Sequence, residues 1–210
     1  MALRGDAMKE EKYFMPKNGG NNYAVDLVKQ IKRLNDGKYL HDLIDVDNKS
    51  DFCIGVAGYP EKHLESPSLQ SDLKRLKEKV DAGADYVVTQ MFFDNSKYFE
   101  FVEKARAMGI TIPIIPGIKP IAVKKHMQLL PQVFRVDLPE DLISAIEKST
   151  TAAEVKAVGI EWAIQQSLEL KQAGVPVLHY YSMGKSENIR QIAKAVFFCL
   201  KSFIFLPHKF

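Results

Sequence analysis

Cysteine is scarce: the 210 residues hold two, Cys53 and Cys199, far apart in sequence. Neither sits at metal-ligand or redox-motif spacing, which excludes a disulfide scaffold and gives no sign of a zinc site. Both are expected to be reduced structural thiols, Cys53 inside a buried strand. A concentrated basic stripe is also missing. The 29 Lys and Arg and 26 Asp and Glu are scattered along the chain and leave a net charge of only +3, so nucleic acid is not an expected partner. Nor is there an uninterrupted apolar run of the roughly 20 residues that cross a bilayer. The apolar tail 193–210 is broken by Lys194, Lys201 and Pro207, and Arg4 and Asp6 interrupt the start, so neither a membrane span nor a signal peptide is expected. No G-x-G-x-x-G fingerprint follows any candidate strand, which counts against a Rossmann sheet. With 46% hydrophobic and 26% charged residues, the chain has the composition of a soluble, single-domain protein, and its two reduced thiols lead us to expect the cytoplasm.

What is present is organised around residues 51–95. Residues 52–58 form a nearly continuous apolar run, ended by Tyr59-Pro60, that suits a strand covered on both faces. Ser66-Pro67 predicts a helix start, and Leu69, Leu73, Leu76 and Val80 recur at helical spacing until Gly83. Residues 86–93 read as a second buried strand. Strand, helix and strand make a βαβ unit whose strands run parallel. Polar residues gather where the strands end: Tyr59, Glu61 and His63 after the first, Thr89, Gln90 and Asp94 in or after the second. That is where α/β proteins place their chemistry.

Along the rest of the chain, residues 1–3 read as the end of a strand. Ala24, Leu27, Val28, Ile31 and Leu34 give a helix an apolar face. Residues 38–50 read as an irregular surface connection. Asn95 is expected to cap a helix reaching Met108-Gly109, and 112–117 to form a strand. Helices are expected over 121–130, from Leu138-Pro139, and over about 152–173. A last strand at 175–181 and a helix opened by Ser186 and Glu187 close the pattern. Four strands and a stub, alternating with helices, fit either an open doubly wound sheet or part of a (β/α)8 barrel.

Six ordered motifs decide between these: Leu3-Arg4-Gly5-Asp6, Tyr59-Pro60-Glu61-Lys62-His63, 79–84 (KVDAGA), 89–94 (TQMFFD), 115–120 (IPGIKP) and His179-Tyr180-Tyr181. In order and spacing the chain resembles methylenetetrahydrofolate reductase from Leu3 to about Phe197. The resemblance implies a (β/α)8 TIM barrel, of which residues 1–197 are the C-terminal part, about strands four to eight, and 198–210 an atypical tail. It implies FAD as cofactor at the C-terminal ends of the strands, with NADH or NADPH as co-substrate. The implied reaction reduces 5,10-methylenetetrahydrofolate to 5-methyltetrahydrofolate, which feeds methionine synthesis.

Site residues follow from the same resemblance. Asp6 matches the carboxylate that stabilises the cationic iminium form of the folate, a role suited to a fixed charge in a dry site. Arg4, Gly5 and Asp6 are implied flavin contacts, with Tyr23 and Ala24 at the start of the next helix, and Tyr59 and His63 along the cofactor. Asp72 and Lys79 match positions on the ribose, diphosphate and adenine side, whereas Glu78 stands where a basic residue can occur and carries no such role. Gln90 is the implied pterin contact, since a carboxamide donates and accepts at once. His126, Leu130 and Lys185 face the folate or NADH side, and the first two depart from the family's glutamine and aromatic residue.

The resemblance also implies absences. The glutamate that serves as general acid belongs to the family's first strand and has no counterpart here, so the chain is expected to be a fragment with little turnover of its own. A barrel without three strands would have open edges. The alternative is therefore a non-catalytic half-barrel that pairs with another chain or with a copy of itself as a homo-oligomer. A third reading, a lyase or aldolase acting on a phosphorylated substrate, lacks both a strand-end lysine and glycine-rich phosphate loops.

Overall fold

A computed structural model describes residues 1–5, 7, 14–39, 49–184 and 186–198. Among them, parallel strands alternate with helices in an α/β fold consistent with part of a (β/α)8 barrel. The four strands stand in the order β1 (Gly55–Gly58), β2 (Tyr86–Met91), β3 (Ile114–Ile118), β4 (His179–Tyr180). The chain divides into two compact units: residues 1–92 with 96–117, and residues 93–95 with 118–210. No helix among the described residues is long and apolar enough to cross a membrane. None of their His, Cys, Asp and Glu side chains cluster in groups that would hold a metal ion.

The first unit is built on the β1–β2 pair. Val56 and Val87 face each other in parallel register and are wholly buried. Helix α2 (Leu69–Asp81) connects the two strands and buries Leu73 and Leu76. Helix α3 (Asn95–Ala107) connects β2 to β3. On it, Phe101 is buried and Tyr98 stacks on Phe92 and donates 2.7 Å to the Ile114 carbonyl. Of the strand end expected at residues 1–3, one isolated parallel bridge is formed: Ala2 pairs with Val56, and its N–H reaches the Gly55 carbonyl at 2.8 Å. Helix α1 (Ala24–Asn35) contributes Val28 as its one fully buried side chain.

The register between β2 and β3 slips between Val88 and Met91. There the buried Thr89 hydroxyl oxygen accepts the Gly117 N–H at 2.9 Å. A side chain thus satisfies a backbone donor that the slipped ladder leaves over.

The second unit centres on α6 (Ala152–Gln172), opened by a capping box in which Thr151 Oγ1 accepts the Glu154 N–H and Glu154 accepts the Thr151 N–H. Helices α4 (His126–Phe134), α5 (Glu140–Lys148) and α7 (Ser186–Ala193) accompany it, and a wider-wound turn follows at Lys194–Phe198. Trp162 donates to the Phe93 carbonyl at 3.0 Å. Tyr180 donates to Ser167 at 2.8 Å, and Tyr181 N–H to the Ile118 carbonyl at 2.9 Å.

Several local expectations change. Strand β1 begins at Gly55, and Phe52 and Cys53 before it are exposed, so the Cys53 thiol is not buried; Cys199 lies outside the described residues. The cap of α2 is Ser68, whose Oγ accepts the Ser71 N–H at 3.1 Å, because Ser66 is engaged elsewhere. Asn95 does not cap α3. It is the first helical residue, and its amide donates to the Gln166 carbonyl and to Glu169 on α6. Helix α4 starts at His126 rather than at 121, and the last strand shrinks to two residues. Pro176 has no N–H to give to a ladder, and Val177 is 51% exposed.

Candidate functional site

The loop that leaves β1 carries a polar network that ties it to α2 and to the N-terminal segment. Its backbone turns sharply: Lys62 holds φ 100, a left-handed value that costs a side-chain-bearing residue about 1–3 kcal/mol and persists only where the surroundings enforce it. Asp72 supplies much of that enforcement. It sits on the first turn of α2, nearly buried. One carboxylate oxygen accepts the Ser66 hydroxyl at 3.0 Å and the other the His63 N–H at 2.7 Å. The helix start therefore grips the loop at two points.

His63 in turn accepts the Glu65 N–H on Nδ1 at 3.1 Å, which puts its own proton on Nε2. Burial lowers its pKa below the usual histidine value against the opposing pull of Asp72 and Glu65, so the ring is neutral at neutral pH. Tyr59 meets it edge-on, with ring centroids 4.7 Å apart. Glu65 extends the network to the N-terminal segment: Arg4 donates to its carboxylate at 2.6 Å, and that hydrogen bond holds the Glu65 pKa below its ordinary value. The Phe14 ring lies over the Arg4 guanidinium, 5.0 Å from its carbon to the ring centroid.

Lys79, two turns along α2 from Asp72, donates to the Ala57 carbonyl of β1 at 2.6 Å. Burial brings its pKa down to about 8, with Asp72 acting in the other direction. An ammonium has three donors, of which Ala57 takes one.

The first unit therefore brings Arg4, Tyr59, His63, Asp72 and Lys79 into one network, and Gly5 lies beside Phe14. Other expected site residues stand outside it. Tyr23 is 59% exposed and its N–H is bound by Asp26, with Ala24 next to it opening α1. Gln90 is half-buried in β2, and its side-chain Oε1 accepts the neighbouring Met91 N–H at 3.3 Å. His126 belongs to the second unit, where its Nδ1 accepts the Ala122 N–H at 3.2 Å, and Leu130 is buried in that unit. Asp6 and Lys185 lie outside the described residues. Ser66, Glu65 and Phe14 went unread in the sequence as parts of this network. Ser66 satisfied a helix-cap pattern, and no spacing rule ties Phe14 to Arg4.

Residues 1–196 match the family model described as methylenetetrahydrofolate reductase. The chain is 34% identical over 193 residues to methylenetetrahydrofolate reductase 1 of Schizosaccharomyces pombe, covering 91% of this chain and 30% of that protein. It is 38% identical over 198 residues to methylenetetrahydrofolate reductase (NADH) 1 of Arabidopsis thaliana, covering 90% and 31%. With 5,10-methylenetetrahydrofolate reductase of Pectobacterium carotovorum it shares 34% over 190 residues, covering 89% and 56%. The chain thus spans about a third of these eukaryotic relatives and just over half of the bacterial one. In fold, it resembles a solved Clostridium thermocellum protein described as binding two copies of 5-methyl-5,6,7,8-tetrahydrofolic acid, with a TM-score of 0.50 at 18% identity over 72% of this chain and 54% of that one. The match over residues 1–196, joined to close relatives aligned along some nine-tenths of the chain, shows that it belongs to the methylenetetrahydrofolate reductase family.

Proposed function

We propose that this chain carries the cofactor-side half of an FAD-dependent reductase that converts 5,10-methylenetetrahydrofolate to 5-methyltetrahydrofolate with NADH or NADPH in the cytoplasm. Residues 1–197 would form part of a single catalytic barrel and 198–210 a tail distinct from it. The observation that carries the reading is the network after β1. It combines two cations, Arg4 and Lys79, with a neutral imidazole and an aromatic ring, at the C-terminal end of a parallel strand. That donor set fits a dinucleotide cofactor, whose diphosphate calls for positive charge and whose ring system calls for flat, partly apolar neighbours.

Arg4, Gly5, Tyr59, His63 and Lys79 would hold the FAD, with Tyr23 and Ala24 at its border. Asp72 would act chiefly by fixing the loop that presents His63. Bound there, FAD would supply hydride transfer. Asp6 would stabilise the cationic folate, Gln90 would recognise the pterin edge, and His126 and Lys185 would serve the folate or nicotinamide. Names among the relatives support a nicotinamide co-substrate without choosing one: the Arabidopsis protein is designated NADH, and a Caenorhabditis elegans relative, 37% identical over 147 residues, NADPH.

The purified chain, incubated with FAD and desalted, is expected to keep the visible absorption of bound flavin. Colourless protein would sink the cofactor reading. A second reading, a non-catalytic half-barrel that pairs with another chain or itself, draws on Met1 and Leu3. These flank Ala2, which makes an isolated parallel bridge to β1, and are 53% and 52% exposed. A flavin-free dimer on gel filtration would favour it.

A further inference from the structure

We infer that Phe14 is a positioning residue for the proposed flavin site, acting through Arg4; the inference rests on the cofactor reading above. Arg4 and Gly5 are both implied cofactor contacts, and one ring attends both. Phe14 lies 5.0 Å from the Arg4 guanidinium carbon, and its Cε2 stands 3.8 Å from where a Gly5 Cβ would be. Glu65 meets the same guanidinium at 2.6 Å. An ion pair of this kind, with Glu65 about half exposed, holds a flexible side chain weakly, since water screens it and rotamer entropy opposes it. A ring adds a restraint of a different kind. It attracts the cation through its π face and fixes the plane of the guanidinium, while the carboxylate fixes an in-plane direction. Together they tie three separate stretches of chain at the end of β1: the segment after Ala2, the segment holding Phe14, and the loop of His63 and Glu65. A guanidinium already oriented loses less freedom when the cofactor arrives.

The test is a titration of FAD, read by quenching of its fluorescence, into the wild-type chain, F14L, F14W, R4K and the F14L/R4K double variant, with thermal melts of each without FAD. F14L keeps apolar bulk and loses the π face, so FAD affinity is expected to fall roughly two- to fivefold while the flavin-free melt stays in place. F14W restores the face and should bind as wild type does. In the R4K background, where the ammonium keeps an attraction to the ring but offers no plane for it to fix, F14L should cost less than it does in the wild-type chain. Equal binding by F14L and wild type would overturn the inference, and so would an F14L loss that persists undiminished beside R4K. Should F14L fail to fold, F14W binding below wild type would overturn it instead. A wild-type chain that leaves FAD fluorescence unquenched would overturn the cofactor reading, a result distinct from any of these.

Discussion

Asp72 and Lys79 set how firmly the loop after β1 is held. Asp72→Ala would leave the buried Ser66 hydroxyl and the His63 N–H without their acceptor, and would remove the carboxylate that opposes Lys79 desolvation. Leaving such donors unsatisfied costs about 1–3 kcal/mol each. A loss of roughly 3 kcal/mol is therefore expected in urea unfolding, and Asp72→Asn, which keeps one acceptor oxygen, should lose less. Lys79 gives a pH signature. Its folded pKa of about 8 lies below the ordinary lysine value of 10.5, so between these limits the unfolded chain binds the proton that the folded chain has shed. Stability must then rise with pH across that window and be flat below it. The difference in unfolding free energy between wild type and Lys79→Met, followed from pH 7 to 10, should widen in favour of wild type above pH 8. A constant difference would show that Lys79 is not desolvated.

Gly58 and Gly159 stand where neighbouring elements leave no room for a side chain. A Cβ on Gly58, at the end of β1, would stand 2.8 Å from Val87 Cγ1 and 2.9 Å from Phe101 Cζ. Gly58→Ala is expected to cost the roughly 1–3 kcal/mol of an overpacked core. On α6, Gly159→Ala would gain about 1 kcal/mol of helix propensity, but its Cβ would overlap the Ile121 carbonyl oxygen, which is backbone and cannot swing away. The clash wins, and thermal melts should show Gly159→Ala as the more damaging of the two. Elements were legible in the sequence where local pattern and tertiary burial agree. Leu73 and Leu76 fall on the buried face that helical spacing predicts, Val87 and Val88 lie in a buried strand, and α6 occupies nearly the expected span. Reading failed where a distant partner decides. Two serines flank Pro67 and either satisfies a capping rule, but Asp72 claims Ser66 and leaves Ser68 to cap. Asn95 looks like a cap, yet its partners are Gln166 and Glu169, 71 and 74 residues away. In the candidate site, the motifs pointed to Arg4, His63 and Lys79, which the structure joins in one network, whereas the Phe14 and Glu65 contacts that hold Arg4 come from loop geometry that no periodicity encodes.

At the scale of the whole molecule, the network after β1 lies entirely in the first unit, as do all the residues proposed to hold the cofactor. A ligand that binds only the folded state stabilises it by RT ln(1 + [L]/Kd), about 2.7 kcal/mol at a hundredfold excess over Kd. That stabilisation goes first to whatever must be folded to bind. With saturating FAD, amide exchange is expected to slow around residues 4–5 and 59–66, at the start of α2 and at the end of β1, since Asp72 and Lys79 anchor that loop to helix and strand. Helices α5 and α6 carry none of the proposed cofactor contacts, so their amides should slow only if opening the first unit also opens the second. Protection confined to 4–5, 59–81 and β1 would therefore place the flavin at this network and show that the two units open independently. Protection spread equally over α5 and α6 would mean that both units unfold as one cooperative body. Protection of the second unit alone would mean that the cofactor contacts assigned to Arg4, His63 and Lys79 are wrong, whatever the chain's affinity for flavin.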